Sequence, residues 1–100
     1  MVLIALILAA APADAVADNR RAYAACLDSY TSGAIGKSMA KDAFIAGLKA
    51  KCADKEASFR QALTAADKAD GMSEAEAKED ADDQVGGYVD QMVEKFQTGE

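Results

Sequence analysis

Between Met39 and Asp70 the apolar residues recur at helical intervals. Phe44, Leu48, Cys52, Phe59, Leu63 and Ala66 follow one another at steps of four, four, seven, four and three. That period places them on one face of a long amphipathic helix, whereas a strand needs strict alternation. The stripe carries two of the three phenylalanines and one of the two cysteines. The rest of the chain is expected to pack on it or lead to it. Gly47 is the only glycine between Met39 and Ala69. It marks either a close approach of a neighbouring helix or a tolerated surface position. Near Lys55 and Glu56 the stripe skips a turn, which predicts a kink or a solvated waist.

Two further helices flank this one. Val16, Tyr23, Cys26, Leu27 and Tyr30 share a face between Val16 and Thr31. Asp14 or Asp18 caps its start, Arg20 and Arg21 fall on its polar side, and the Ser32–Gly36 turn ends it. Ser38 is expected to cap the long helix, with Asp42 in its first turn. Gly71 closes that helix, and Ser73 with Glu76 forms a capping box that opens a third. The third helix carries Ala81, Val85, Tyr88, Val89, Met92 and Phe96 on one face, interrupted by Gly86 and Gly87, where a kink or break is predicted. Gly99 and Glu100 fray. The fold expected is all-α, with three helices arranged around the long central one. Phe59 and Leu63 should meet Val85, Tyr88 and Val89 of the third helix.

A chain of 100 residues holds one domain and buries only roughly 60–65% of its unfolded surface. A covalent staple therefore matters. Cys26 and Cys52 are the only cysteines, and on facing helices in an oxidising compartment they should pair. At about 1.5 Å per residue, Cys26 lies roughly 8 Å from a helix end at Thr31, and Cys52 about 20 Å from a start at Met39. Bridged Cα atoms sit about 4.4–6.8 Å apart. The connection must therefore climb along the long helix, the first helix must run on toward Ile35, or both.

Residues 1–15 are set apart. Val2 to Ala11 is an unbroken apolar run of about half the roughly twenty residues a membrane span needs. Pro12 and small residues at Ala13 and Ala15 follow, as signal peptidase requires; Ala11 with Ala13 fits the same rule. The expectation is a signal peptide at 1–15, a single helical domain at 16–100, a periplasmic or secreted location and no permanent membrane span. No Lys or Arg precedes the apolar run, so the true start is expected upstream.

Charge and composition narrow the function. The net charge of −6 argues against nucleic acid and anionic membranes, both of which demand basic patches. Without histidine the chain lacks the commonest general base and metal ligand. No catalytic, cofactor-binding or metal residue is assigned. From Thr31 to Ser38 the sequence nearly spells a phosphate-binding loop, but Thr31 stands where the first glycine belongs and a helix, not a strand, precedes it. Asp67, Asp70, Glu74, Glu76, Glu79, Asp80, Asp82 and Asp83 form an acidic tract against Lys68 and Lys78. With Gly71 as the sixth residue of a calcium loop, Ala66, Lys68 and Ala77 occupy ligand positions, so that pattern fails. The tract is expected to be a solvated face or a patch for a basic partner.

From Ala25 to Gly71 the chain resembles small exported helical proteins of Gram-negative bacteria with a signal peptide, two helices, one disulfide and an acidic remainder. The stretch from Lys51 to Arg60, a cysteine then a charged helix with Phe59 seven residues on, is similar to periplasmic acid-stress chaperones of the HdeA type. Those chaperones set their cysteines further apart. The resemblance implies the holding of unfolded proteins at low pH. The function expected is non-enzymatic and works through protein contacts in the envelope, with a seam of Tyr23, Tyr30, Phe44, Leu48, Phe59, Leu63 and Tyr88 uncovered when the acidic third helix changes charge or partner. The alternative is a carrier of a small apolar ligand, held in a cavity lined by Tyr30, Phe44, Leu48 and Tyr88. The partner protein and the oligomeric state are left open, and no cofactor is expected.

Overall fold

The computed structural model describes residues 12–99. The apolar run of the expected signal peptide lies outside them. Pro12–Ala15 forms the first turn of the first helix, with Pro12 at a position where its missing N–H costs nothing.

Four helices make up the described residues, where the sequence predicts three: α1 (Pro12–Ala34), α2 (Lys41–Lys51), α3 (Ala53–Ala69) and α4 (Glu74–Thr98). The all-α class stands, and no strand occurs among the described residues. The extra helix arises because the long central helix breaks at Cys52, whose φ of −105° and ψ of 18° leave the helical region. The break falls three residues before the expected waist. The Cys52 N–H still donates to the Leu48 carbonyl (3.1 Å) and the Cys52 carbonyl accepts from Glu56 N–H (2.9 Å), so the ladder continues on both sides.

The disulfide joins Cys26 of α1 to Cys52 at this break, with Cα atoms 5.9 Å apart. α1 runs to Ala34 instead of Thr31, through Ser32 and Gly33, and closes on Gly36 at φ 88°. α2 begins at Lys41 instead of Met39. Both shifts bring the cysteines level: about 12 Å from the end of α1 and about 16 Å from the start of α2. Ser38 does not cap α2. It adopts φ 55° in the connecting loop, and Ala40 takes the cap position without a side-chain hydrogen bond.

The remaining stops follow the sequence. Gly71 at φ 102° ends α3: its N–H donates to the Lys68 carbonyl (3.1 Å) and Met72 N–H to the Asp67 carbonyl (3.0 Å), the paired bonds of a Schellman cap. Ser73 and Glu76 form the expected capping box, at 3.1 and 3.0 Å. α4 is unbroken through Gly86 and Gly87, contrary to the predicted kink; both are exposed helical glycines with nothing within 4 Å of a β-carbon position.

α1 packs chiefly against α3, and α4 packs against α3, α1 and α2. All six aromatic residues fall into two triads, each drawing one ring from α1, one from α2 or α3 and one from α4. Tyr23, Phe59 and Tyr88 meet at centroid distances of 5.7, 5.8 and 6.0 Å. Tyr30 lies 5.8 Å from Phe44, which stacks on Phe96 at 4.2 Å. In sequence the disulfide lies between the two triads on both α1 and the α2–α3 pair. Leu27, Leu48 and Leu63 complete the core with Ala77, Ala81, Val85 and Val89, a four-residue repeat of small side chains that lets α4 lie close.

Candidate functional site

The expected seam is the core of the fold. Tyr23, Phe44, Leu48, Phe59 and Leu63 are buried, and Tyr30 and Tyr88 are half-buried at its edges. The sequence assigns Phe96 to the α4 face but leaves it out of the seam; its stack on Phe44 places it there. α4 forms one wall, and its attachment differs in kind from that of α1. α1 is tied to the α2–α3 junction by the disulfide. α4 is held without a covalent bond: by Ala77, Ala81, Val85 and Val89, by the rings of Tyr88 and Phe96, and by polar contacts of Arg60 with Asp82 (2.7 Å), Lys95 with Asp28, and the Arg20 guanidinium donating to Gln84 Oε1 (2.9 Å) and Tyr88 Oη (3.1 Å). Arg20, expected on the polar side of its helix, also lies over the Phe59 ring at 5.1 Å, a cation–π contact.

The polar chain continues across the bundle. Gln84 Nε2 donates to both oxygens of Asp80 (3.3 Å each). Asp80 faces Asp67 of α3, close enough to share a proton once Asp67 is protonated. Asp67, not Ala66, continues the inward line from Phe59 and Leu63. It is 9% exposed, and its Oδ2 has no hydrogen-bond partner. The shared hydrogen bond, burial and the negative charges of Asp80 and Asp70 together push its carboxyl up to about 6. Asp82, on the same α3–α4 seam, is held below the usual carboxylate range by the hydrogen bonds of Arg60 and Lys78. Two carboxyls of one interface thus respond to acid in opposite directions. Burial pushes the Tyr23 hydroxyl up to about 12, so it stays neutral.

Of the four residues expected around a ligand cavity, Phe44 and Leu48 are wholly buried and Tyr88 borders a shallow depression with Gln84. Tyr30 lines a cleft of about 380 Å³ between the end of α1 and the loop into α2, with Cys26 and Ser29 on its α1 wall. Its charged lining is Lys37 and Lys51. Lys37, Lys41, Lys49, Lys51 and Lys55 form no ion pair among the described residues, whereas Arg21, Arg60, Lys68, Lys78 and Lys95 each bind a carboxylate.

Thr31, of the phosphate-loop look-alike, is buried in α1 and donates to the Leu27 carbonyl (2.8 Å). Among the described residues no group of acids and cysteines is placed to hold a metal ion, and no helix is long and apolar enough to cross a membrane. Comparison with known protein families, with curated proteins and with solved structures finds no match to this chain.

Proposed function

We propose that this is an exported, non-enzymatic protein that acts by contact with other proteins in the envelope, and that α4 is the cover over its contact surface. The carrying observation is the asymmetry of attachment. The disulfide pins α1 to the α2–α3 junction, so only α4 can depart without breaking a covalent bond. Its departure bares one wall of both aromatic triads while the other walls keep their shape. Large aromatic rings presented by a rigid frame are effective contact groups. The bridge suits an oxidising compartment, in keeping with export.

Acid is the trigger that fits the charges. Below the carboxylate range the Arg60–Asp82 and Lys95–Asp28 pairs are lost. Eleven Lys and Arg side chains are then left without counter-charge, and their repulsion favours opening. Between neutrality and mild acid the Asp67–Asp80 bond instead tightens the cover, so opening is confined to strong acid.

The test is aggregation of an acid-labile client protein at pH 3 and pH 7, with and without the full chain. Suppression at pH 3 supports the reading. A disulfide engineered between α4 and α3 should then abolish it. Absence of suppression at both pH values overturns it.

A further inference from the structure

The cleft beside Tyr30 has the makings of a ligand site. Its walls are mostly apolar, with Tyr30, Gly33 and Ala34 from α1 and Met39 from the loop, while Lys37 and Lys51 supply its cations. Its volume of about 380 Å³ lies at the lower end of the roughly 300–1,000 Å³ typical of small-molecule pockets.

Gly33 is one of the residues lining the cleft. It is helical, weakens α1 relative to alanine, needs no positive φ and has nothing within 4 Å of its β-carbon position. Gly33 lies on the cleft wall, so a large side chain there would project into the cleft.

The two lysines are unspent. In a chain of net charge −6, with seventeen acids against eleven bases, neither has a carboxylate partner among the described residues. A concave apolar wall with two unpaired cations complements a molecule with an anionic head and a short apolar tail. A neutral hydrocarbon would leave the lysines unused, and a cation would be repelled.

We infer that the cleft lined by the C-terminal part of α1, the loop after it and Lys51 at the end of α2 binds a small amphiphilic anion, a carboxylate head on a short aliphatic chain. The carboxylate pairs with Lys37 and Lys51, and the chain lies along Tyr30, Gly33, Ala34 and Met39. None of these residues belongs to α4, so failure of the cover reading leaves this site standing.

The test titrates decanoate, decanol and decyltrimethylammonium, each below its micellar concentration, into the isotope-labelled full chain at pH 7. Amide chemical shifts locate the binding. Decanoate should move Gly33, Lys37, Met39 and Lys51, and bind about tenfold more tightly than decanol, the combined effect of two exposed charge pairs. Lys37→Gln with Lys51→Gln should erase that preference. Gly33→Leu should fill the cleft and weaken decanoate by about tenfold or more, with the far-ultraviolet spectrum unchanged. Equal affinity for decanoate and decanol overturns the inference, as does an undiminished preference in the lysine variant or a shift pattern centred elsewhere. Should Gly33→Leu fail to fold, the lysine variant and the three-ligand comparison still decide the matter.

Discussion

The ring of Tyr30 stands where a β-carbon on Gly47 would have to go. Its hydroxyl oxygen would overlap that carbon, and its Cζ would lie only 2.9 Å away. α1 and α2 therefore touch through a missing side chain, and the ring is held from behind by Phe44. On propensity alone Gly47→Ala gains about 1 kcal/mol. Here overpacking, at about 1–3 kcal/mol, should exceed that gain and leave the variant destabilised by about 1 kcal/mol. Tyr30→Phe removes the overlapping atom, so in that background Gly47→Ala should cost less. Urea denaturation of the four proteins of the cycle measures the coupling; a stabilised Gly47→Ala single variant would contradict the contact.

Asp67 sets the direction of the pH dependence in mild acid. Its folded carboxyl sits at about 6 against an ordinary 3.8. For an acid raised on folding, the protonated form is the one the native state favours. The stability from the Asp67–Asp80 hydrogen bond is thus fully present below 3.8 and lost as pH rises through about 6. Asp82 runs the other way, contributing above its ordinary value and losing that contribution as pH falls. Thermal melts from pH 7 to pH 2 should therefore pass through a maximum in mild acid. Asp67→Asn supplies an amide donor to Asp80 at every pH. It should raise stability at pH 7 by about 1 kcal/mol and flatten the rise between pH 7 and the maximum.

How much of this was open to a reader of the sequence depends on what each residue type reports. Apolar period, the cysteine pair, the Ser73–Glu76 box and the Gly71 stop are local signals, and each stands in the fold. The break at Cys52 shows in the stripe only as the turn skipped near Lys55 and Glu56; Cys52 to Phe59 is two whole helical turns, so the phase survives the interruption and the pattern misplaces the break by three residues. Ser38 has the right chemistry for a cap, but the longer α1 moves the loop and puts it at positive φ. Hydrophobic patterning puts Ala66, not Asp67, in line with Leu63, because it cannot see a buried acid; only Asp80 brought opposite it by the α3–α4 turn makes the position intelligible. Charge places Arg20 on the polar side of α1, yet a guanidinium on a long stem can cover an aromatic face and still reach Gln84 and Tyr88. The cleft at Gly33 depends on how α1 meets the loop, which no local pattern encodes.

The disulfide closes a loop with a sequence separation of 26. By the chain-entropy relation its loss should cost about 3.5 kcal/mol, a large share of the roughly 5–15 kcal/mol typical of a domain. Cys26→Ser with Cys52→Ser should lower the urea midpoint accordingly, and the oxidised wild type should show no thiols on titration under denaturing conditions. Two free thiols in native material would remove the frame on which both the cover and the cleft depend.

Gly86 and Gly87 test whether α4 is one rigid piece. The sequence predicts a kink or break there, yet α4 passes through both without interruption, and neither is crowded. If the pair is a straight exposed stretch of helix, each alanine replacement should stabilise by up to about 1 kcal/mol, since alanine lowers the entropy lost on folding and nothing stands in its way. Were the helix bent at this pair in solution, alanines would oppose the bend and the gain would vanish. The double variant also bears on the cover. Val85 and Val89 flank the pair on the buried face, so a stiffer α4 must leave the core as a unit. Amide exchange should then slow together along α4 in Gly86→Ala with Gly87→Ala, instead of slowing only at the substituted turn, and that cooperative slowing is the behaviour a detachable rod requires.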